Sequence, residues 1–304
     1  MKPTIVGVDI GGTKLRIGLV DETGEGDALE QRPQGDILFG NSAENLCRFI
    51  DEYLRRHGAE QNAAGVCVGL PAVLDAAREV VLNAPNIAGL NGVNVGRQLA
   101  RHFRVPVFLD RDVSMLFEYD CKRLGLDLSG IVLAYYVGTG LGNVVAIDGR
   151  PITGNHGAAG ELGHIPAWDS NIACSCGNTG CAEELVGGKY LERLQKERFP
   201  GTGIRTLFAE HADAPELADY VAHLALPIAA EINILDPEIV VLGGGVLSLP
   251  GFPMEALRQR ILEHARKPLP FERLRFAFSG AADENGVIGA GLLAWRQIKR
   301  RNAG

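Results

Sequence analysis

No run of apolar residues in this 304-residue chain approaches the roughly 20 that a membrane-spanning helix requires. The opening apolar stretch is broken by Asp9 and Lys14, so it does not read as a secretory leader. A basic excess is missing too. The 30 Lys and Arg are outnumbered by 37 Asp and Glu, giving a net charge of −7, whereas a nucleic-acid surface needs a clustered basic patch to neutralise phosphates. The Lys299-Arg300-Arg301 run is short and reads as a solvated helix end. No Pro/Ser-rich linker divides the chain. Neither the Walker pattern G-x4-G-K-[ST] nor a Rossmann G-x-G-x-x-G followed by a helix occurs, which counts against a P-loop enzyme and a nicotinamide dehydrogenase. Cysteine is sparse, with 6 in all. Cys47, Cys67 and Cys121 lie scattered in apolar-patterned segments and read as core thiols, which suits a reducing cytoplasm.

The other three cysteines are clustered. Cys174, Cys176 and Cys181 are spaced C-x-C-x4-C, with His164 ten residues before the first. Four such N/S donors suit a tetrahedral structural zinc with no position left for water. The competing readings are a redox pair or three unrelated thiols. A Cys174–Cys176 disulfide would close a strained ring, while Gly177 and Gly180 suit a chain folding tightly around an ion. Glu161 and Glu183 flank the outer ligands. They could orient the metal ligands, or face a polyhydroxylated ligand whose hydroxyls they would accept.

The rest of the chain alternates strands and helices, the pattern of an α/β fold. The apolar strand Ile5–Asp9 and the strand Leu15–Val20 flank the bend Gly11-Gly12-Thr13-Lys14. Such a bend either turns backbone amides toward phosphate or is an ordinary tight hairpin. The device returns in the second half, where Ile131–Val137 leads into Gly138-Thr139-Gly140-Leu141-Gly142 and another strand. Between the two, Leu46, Phe49, Ile50, Tyr53 and Leu54 make one apolar stripe on a helix over 43–57. A strand over 65–70 ends at Pro71, and Asn86 falls in a polar stretch where a turn residue is expected. The strand 105–109 leads to Asp110-Arg111-Asp112 and a helix over 112–124. Asp112 therefore stands at a strand's carboxyl end, where α/β sheets bind ligands, although Asp112 or Ser114 could simply cap the helix. Helices over 188–197 and 217–235 follow the zinc loop, and Pro227 should kink or break the second. The strand 238–242 runs into Gly243-Gly244-Gly245, either a flexible turn or a site of close ligand approach. A helix over 252–264, a strand over 274–278 and a helix over 286–298 complete the chain. The coarse order is β-hairpin, α, β, α, β, α, then β-hairpin, zinc insertion, helices, β, α, β, α. The two halves are expected to meet inside the helix 112–124. That places a small domain over 1–114, joined by the C-terminal helix 288–304, and a larger one over 115–287.

In this order the chain resembles the ROK family (repressors, open reading frames and sugar kinases) from about Thr4 to Trp295. DIGGTKLRIGLVD (9–21) looks like the family's first phosphate segment and VGTGLG (137–142) like its second. LGGGV (242–246) is similar to the adenosine segment, and GVIGAGLLA (286–294) to the closing helix. The stretch GELGHIPAWDSNIACSCGNTGCAE (160–183) matches the zinc signature. The resemblance implies an actin-like ATPase fold, two ribonuclease-H-like domains closing on a cleft, and ATP-dependent phosphorylation of a hexose, usually at carbon 6. By position it implies Asp112 as general base and Asn86, Glu161, His164 and Glu183 as sugar ligands. His164 would set one ring nitrogen on zinc and the other toward the sugar. Nucleotide would lie against Asp9, Gly11, Gly12, Thr13, Lys14, Gly138, Thr139, Gly140, Gly243, Gly244 and Gly245. Asp9 would hold Mg²⁺, which commonly keeps several of its waters. Most hexokinases of the family carry Asn-Asp where this chain has Arg111-Asp112, and Ser114 replaces a common Asn. Arg-Asp, with HGAAGELGHIP and LDPEIVVLGGGV, looks most like the D-allose kinase branch, and Arg111 is a candidate reader of the sugar's carbon-3 configuration. Glucose, fructose and N-acetylmannosamine are the alternative substrates. A homodimer is implied as well. Repressors of the family need a DNA-binding module of about 60 residues before the first hairpin. Here the first strand begins within five residues of Met1, so a kinase is expected, with a non-catalytic sugar sensor as the remaining alternative.

Overall fold

The computed structural model describes residues 2–167 and 170–303. Trp168 and Asp169, part of the zinc-signature stretch, lie outside the described residues. The elements in chain order are β1 (Thr4–Ile10), β2 (Lys14–Val20), β3 (Gly26–Pro33), α1 (Ser42–His57), β4 (Ala63–Leu70), β5 (Val73–Leu74), β6 (Val80–Asn83), β7 (Val93–Asn94), α2 (Val95–Phe103), β8 (Val107–Arg111) and α3 (Asp112–Arg123). There follow β9 (Ile131–Val137), β10 (Leu141–Ile147), β11 (Arg150–Pro151), α4 (Glu183–Val186), α5 (Gly188–Arg198), α6 (Leu207–Glu210), α7 (Pro215–Leu235), β12 (Ile239–Gly243), α8 (Met254–His264), β13 (Arg275–Phe278) and α9 (Asn285–Ala303).

Two compact units result. Unit 1 comprises Met1–Leu126, Thr153–Ala159 and Ala282–Gly304, and unit 2 comprises Asp127–Ile152 and Gly160–Ala281. Unit 1 thus runs past the boundary expected after Ser114, to Leu126. Cutting after Ser114 would sever α3, whose residues pack along α9 and against β4 and β8. The expected return at residue 288 also starts earlier, because Gly286 and Val287 already press on Asp9 and Gly7.

In unit 1 the sheet order is β3-β2-β1-β4-β8, antiparallel across the two hairpins and parallel from β1 through β4 to β8. The two-residue period of a strand sorts its side chains onto two faces. Val6, Val8 and Ile10 join Leu46 and Ile50 of α1 and Leu99 of α2 in one core. Ile5 joins Cys67, Phe108, Met115 and the α9 residues Ala290, Leu293 and Trp295 in another. Asn41 caps α1 through its side chain, and Gly58 closes it in the left-handed region. The polar stretch after Pro71 holds the small sheet β5-β6-β7 before α2, an element with no alternating apolar pattern to announce it.

Unit 2 repeats the plan. Its sheet runs β11-β10-β9-β12-β13, with antiparallel hairpins and then parallel β9, β12 and β13. Leu133, Tyr135, Val137, Val240 and Leu242 pack against Tyr220, Leu224 and Ile228 of α7 and Leu257 and Ile261 of α8. Contrary to expectation, α7 runs unbroken through Pro227. Proline loses its own N–H bond and crowds the carbonyl four residues back, yet Pro227 is buried beside Leu224 and Ile228, which pack in the unit 2 core.

Candidate active-site residues

In unit 2 the four proposed soft ligands converge. One donor atom from each of His164, Cys174, Cys176 and Cys181 lies within 4.8 Å of every other. The Cys174 Sγ to His164 Nδ1 distance is 3.5 Å, and Cys176 and Cys181 Sγ are 3.6 Å apart. A tetrahedral zinc with Zn–S near 2.3 Å separates its sulfurs by about 3.8 Å, so this donor set fits the ion in both chemistry and spacing. The loop achieves it through backbone pairing. Cys174 N–H donates to Asn178 O at 2.8 Å and Ala182 N–H to Ile165 O at 2.9 Å. Gly180, at φ +78°, could not carry a Cβ without meeting Ser170 O at 2.4 Å. The Asn178 amide holds the Cys176 thiol below its usual range, whereas burial raises Cys174 and pushes Cys181 up to about 12. A bound cation would deprotonate such thiols outright. The remaining thiols are core residues, with Cys47 and Cys67 buried and Cys121 half-buried.

His164 ends a short 3-10 turn, Leu162–His164, that starts after Glu161. With Nδ1 on the cysteine side, Nε2 stands 3.7 Å from Glu161 Oε2. Glu183 opens α4 and accepts from the Leu141 amide through Oε2 at 3.0 Å. This bond explains Gly140, where a Cβ would fall 1.9 Å from that same carboxylate oxygen. The bend itself is docked on the start of α5, as Gly188 and Lys189 amides donate to Gly138 O and Thr139 O. Because β9, β12 and β13 are parallel, this bend and Gly243-Gly244-Gly245 leave the sheet at one edge. The three glycines have different reasons. A Cβ on Gly243 would meet Ser279 at 2.8 Å, and one on Gly244, at φ +101°, would meet Val137 backbone at 2.5 Å. Gly245 has nothing within 4 Å, so a ligand has room there.

Unit 1 builds the matching edge. β1, β4 and β8 are parallel, and Asp9, Gly69 and Asp110 stand in register across them. The bend 11–14, with Gly11 N–H donating to Lys14 O at 2.8 Å, and Asp112 therefore leave the sheet on the same side. Asp9 is half-buried where the first turn of α9 begins, since a Cβ on Gly286 would touch its carboxylate carbon at 2.4 Å. Burial raises its pKa, and Arg16, donating from Nη1 at 3.2 Å, opposes the rise. Asp112 is the first residue of α3 and half-buried, and its Oδ1 accepts from Val113 N–H at 2.9 Å. The cap position belongs to Arg111, so neither Asp112 nor Ser114 caps the helix; Ser114 Oγ donates to Asp110 Oδ1 at 3.0 Å. Arg111 Nη1 donates to Ala159 O at 2.7 Å. Asn86 is exposed in the turn closed by Ile87 N–H on Ala84 O, and its carbonyl accepts from Gln34 Nε2.

Several residues at these edges carry no sequence signal. Arg16 bridges Asp9 to Asp283, which it reaches at 2.6 Å from Nη2. Ser248 Oγ takes the Ala281 amide and donates to Gly244 O. Asn143, fully buried, donates to Glu231 of α7 at 2.8 Å. Only the strand-to-bend register could have pointed to them, and register is not visible before the sheet is known.

Among described residues no helix is long and apolar enough to cross a membrane. A glucokinase of Thermotoga maritima is 28% identical, the alignment covering 98% of this chain and 99% of its own. An N-acetylmannosamine kinase of Salmonella arizonae is 27% identical, covering 96% and 98%. The crystal structure of a ROK hexokinase from Thermus thermophilus superposes with a TM-score of 0.76 at 28% identity, over 98% of this chain and 99% of that one. The ROK family pattern itself matches residues 5–297. On that match the chain belongs to the ROK family.

Proposed function

We propose that this sugar kinase transfers the γ-phosphoryl group of ATP to the 6-hydroxyl of a hexose, with D-allose the favoured substrate. The observation that carries the reading is the repeated sheet edge, where the first parallel strand of each unit, β1 or β9, runs into a glycine–threonine bend and unit 1 adds Asp112 at the end of β8. Phosphoryl transfer needs positioning and charge neutralisation more than covalent chemistry. Asp112 takes the proton of the attacking hydroxyl as the oxygen–phosphorus bond forms and ADP leaves. Glu161, His164, Glu183 and Asn86 accept from or donate to the ring hydroxyls. The bend amides at 11–14 and 138–140 face the phosphates, and Gly243-Gly244-Gly245 the adenosine. Asp9 offers the hard oxygen donor that Mg²⁺ takes, alone or through water, and the ion supplies charge neutralisation at the phosphates. Zinc on His164, Cys174, Cys176 and Cys181 holds the loop that carries Glu161. The thiol set suits a reducing cytoplasm, and a homodimer belongs to the same reading.

D-Allose rests on Arg111-Asp112 in place of Asn-Asp, because guanidinium only donates and cannot reproduce the bonds of an amide. Relatives named glucokinase and N-acetylmannosamine kinase support glucose and N-acetylmannosamine as competing substrates, and fructose is the third alternative. The test is ATP-to-ADP turnover across a hexose panel, with Asp112→Asn beside the wild type. We expect D-allose to give the highest kcat/KM and the variant to lose roughly 10²- to 10⁴-fold in kcat. A better glucose or N-acetylhexosamine substrate would sink D-allose and keep the kinase. Equal inactivity of both chains on every sugar would favour a sugar sensor.

A further inference from the structure

Arg78 occupies a costly place. It sits at φ +56°, a left-handed conformation that favours glycine, in a turn tied by Asp75, whose Oδ1 accepts from Glu79 N–H at 2.7 Å and Val80 N–H at 2.9 Å. Its side chain accounts for an arginine there. Nη1 donates to Gly157 O at 3.1 Å, and Nη2 lies 3.6 Å from Asp110 Oδ1. Arg111 reaches the same stretch of chain from another direction, donating to Ala159 O at 2.7 Å. Gly157 between them, at φ +81°, lies so close to Leu74 and Asp75 that a Cβ would meet Leu74 O at 2.5 Å. Thr153–Ala159 thus belongs to unit 1, although the chain on both sides of it belongs to unit 2. Residues 160 and 161, directly after this seat, are the glycine and glutamate of GELGH.

We propose that Arg78 and Arg111 are positioning residues that clamp Gly157 and Ala159 onto unit 1, fixing the chain that leads into Glu161 and thereby setting sugar affinity. The clamp rests on the kinase reading for its effect on sugar, but not for its existence. On this account Arg111 distinguishes sugars through the loop it holds, not through a bond of its own to a ring hydroxyl. Each arginine makes a charge-assisted bond to one of these carbonyls, Arg78 to Gly157 O and Arg111 to Ala159 O.

The experiment compares wild type with Arg78→Met and Arg111→Met, first by hydrogen exchange of peptides spanning 153–160 without sugar or nucleotide. Losing one such bond should speed exchange in that segment by about tenfold, leaving β1 and β4 protected. Steady-state kinetics should then show the sugar KM raised by about tenfold in both variants, the ATP KM within about twofold, and the loss falling on sugar KM more than on kcat. Arg111→Lys, whose ammonium can still reach one carbonyl, should recover part of both effects and stands in if a methionine variant fails to fold. Unchanged exchange in both variants overturns the clamp. A sugar KM that rises for Arg111→Met alone, without faster exchange, overturns it in favour of direct contact with the sugar. A wild-type chain inactive on every hexose overturns the kinase reading and the role in sugar affinity, while the exchange result still decides whether the clamp exists.

Discussion

At Gly244 and Gly245 two neighbouring glycines answer to different demands, and single substitutions separate them. Gly244→Ala puts a Cβ at 2.5 Å from Val137 backbone in a left-handed conformation. It should cost about 2 to 4 kcal/mol, visible as a lower urea midpoint. Gly245→Ala enters open space and should leave the urea midpoint in place, yet raise the ATP KM by about tenfold if adenosine lies there. An unchanged ATP KM would remove Gly245 from the nucleotide site. The glycine run was legible as a motif, but its division of labour was not, because it depends on Val137 and Ser279, more than 30 positions away on either side. Arg78 is the harder case. Nothing in its neighbourhood distinguishes it from a solvated turn arginine until Gly157 and Asp110 are seen beside it.

Among the elements, α3 and α9 are joined by the contact of buried Glu118 with half-buried Arg296. Burial pushes Glu118 up to about 7 from an ordinary 4.5, against the lowering effect of Arg296. Between those two values the folded chain keeps a proton that the unfolded chain has released, so this group's contribution to stability is full below about 4.5 and lost as pH rises through about 7. The slope is at most about 1.4 kcal/mol per pH unit, and Glu118→Gln should remove it. Urea unfolding at acid and neutral pH measures this; identical slopes in the two chains would mean that Arg296 keeps Glu118 ionised throughout. The zinc loop makes a separate prediction. Chelation, or Cys176→Ser, should lower the melting temperature by several degrees, on the order of 2–4 °C per kcal/mol lost, with metal analysis giving one zinc per untreated chain. An unaltered melting temperature with no bound metal would leave four thiol and imidazole groups without the ion. The stripe of α1 and the apolar runs of β1, β4, β9 and β12 were readable because burial imposes a period. By contrast, β3 is an edge strand with most of its residues exposed, and β5 and β7 are two residues long, so neither carries one.

For the whole molecule, the two sheets share one plan, which the repeated bends had announced; β1 corresponds to β9, β4 to β12 and β8 to β13. The end of β8 carries Asp110-Arg111-Asp112, while directly after β13 the chain has Ser279-Gly280-Ala281, so the two copies differ where the base is proposed. Each unit has its own core, with α1, α2 and α9 serving unit 1 and α7 and α8 serving unit 2. Stripping metal from the loop should therefore weaken unit 2 first. Calorimetry of the chelated chain is expected to resolve two transitions, and hydrogen exchange to locate the earlier one in α7, α8 and β12. A single transition with uniform loss of protection would mean that the units unfold as one.

The return of α9 to the first sheet also orders events during synthesis. A ribosome releases β1, β4 and β8 before unit 2, but the helix that covers Ile5, Cys67 and Phe108 emerges only after it. Unit 2 has all its strands and helices by residue 281, whereas unit 1 is begun before it and completed after it. Throughout that interval one face of the nascent N-terminal sheet lacks its closing helix and presents apolar surface of the kind that engages chaperones and favours aggregation.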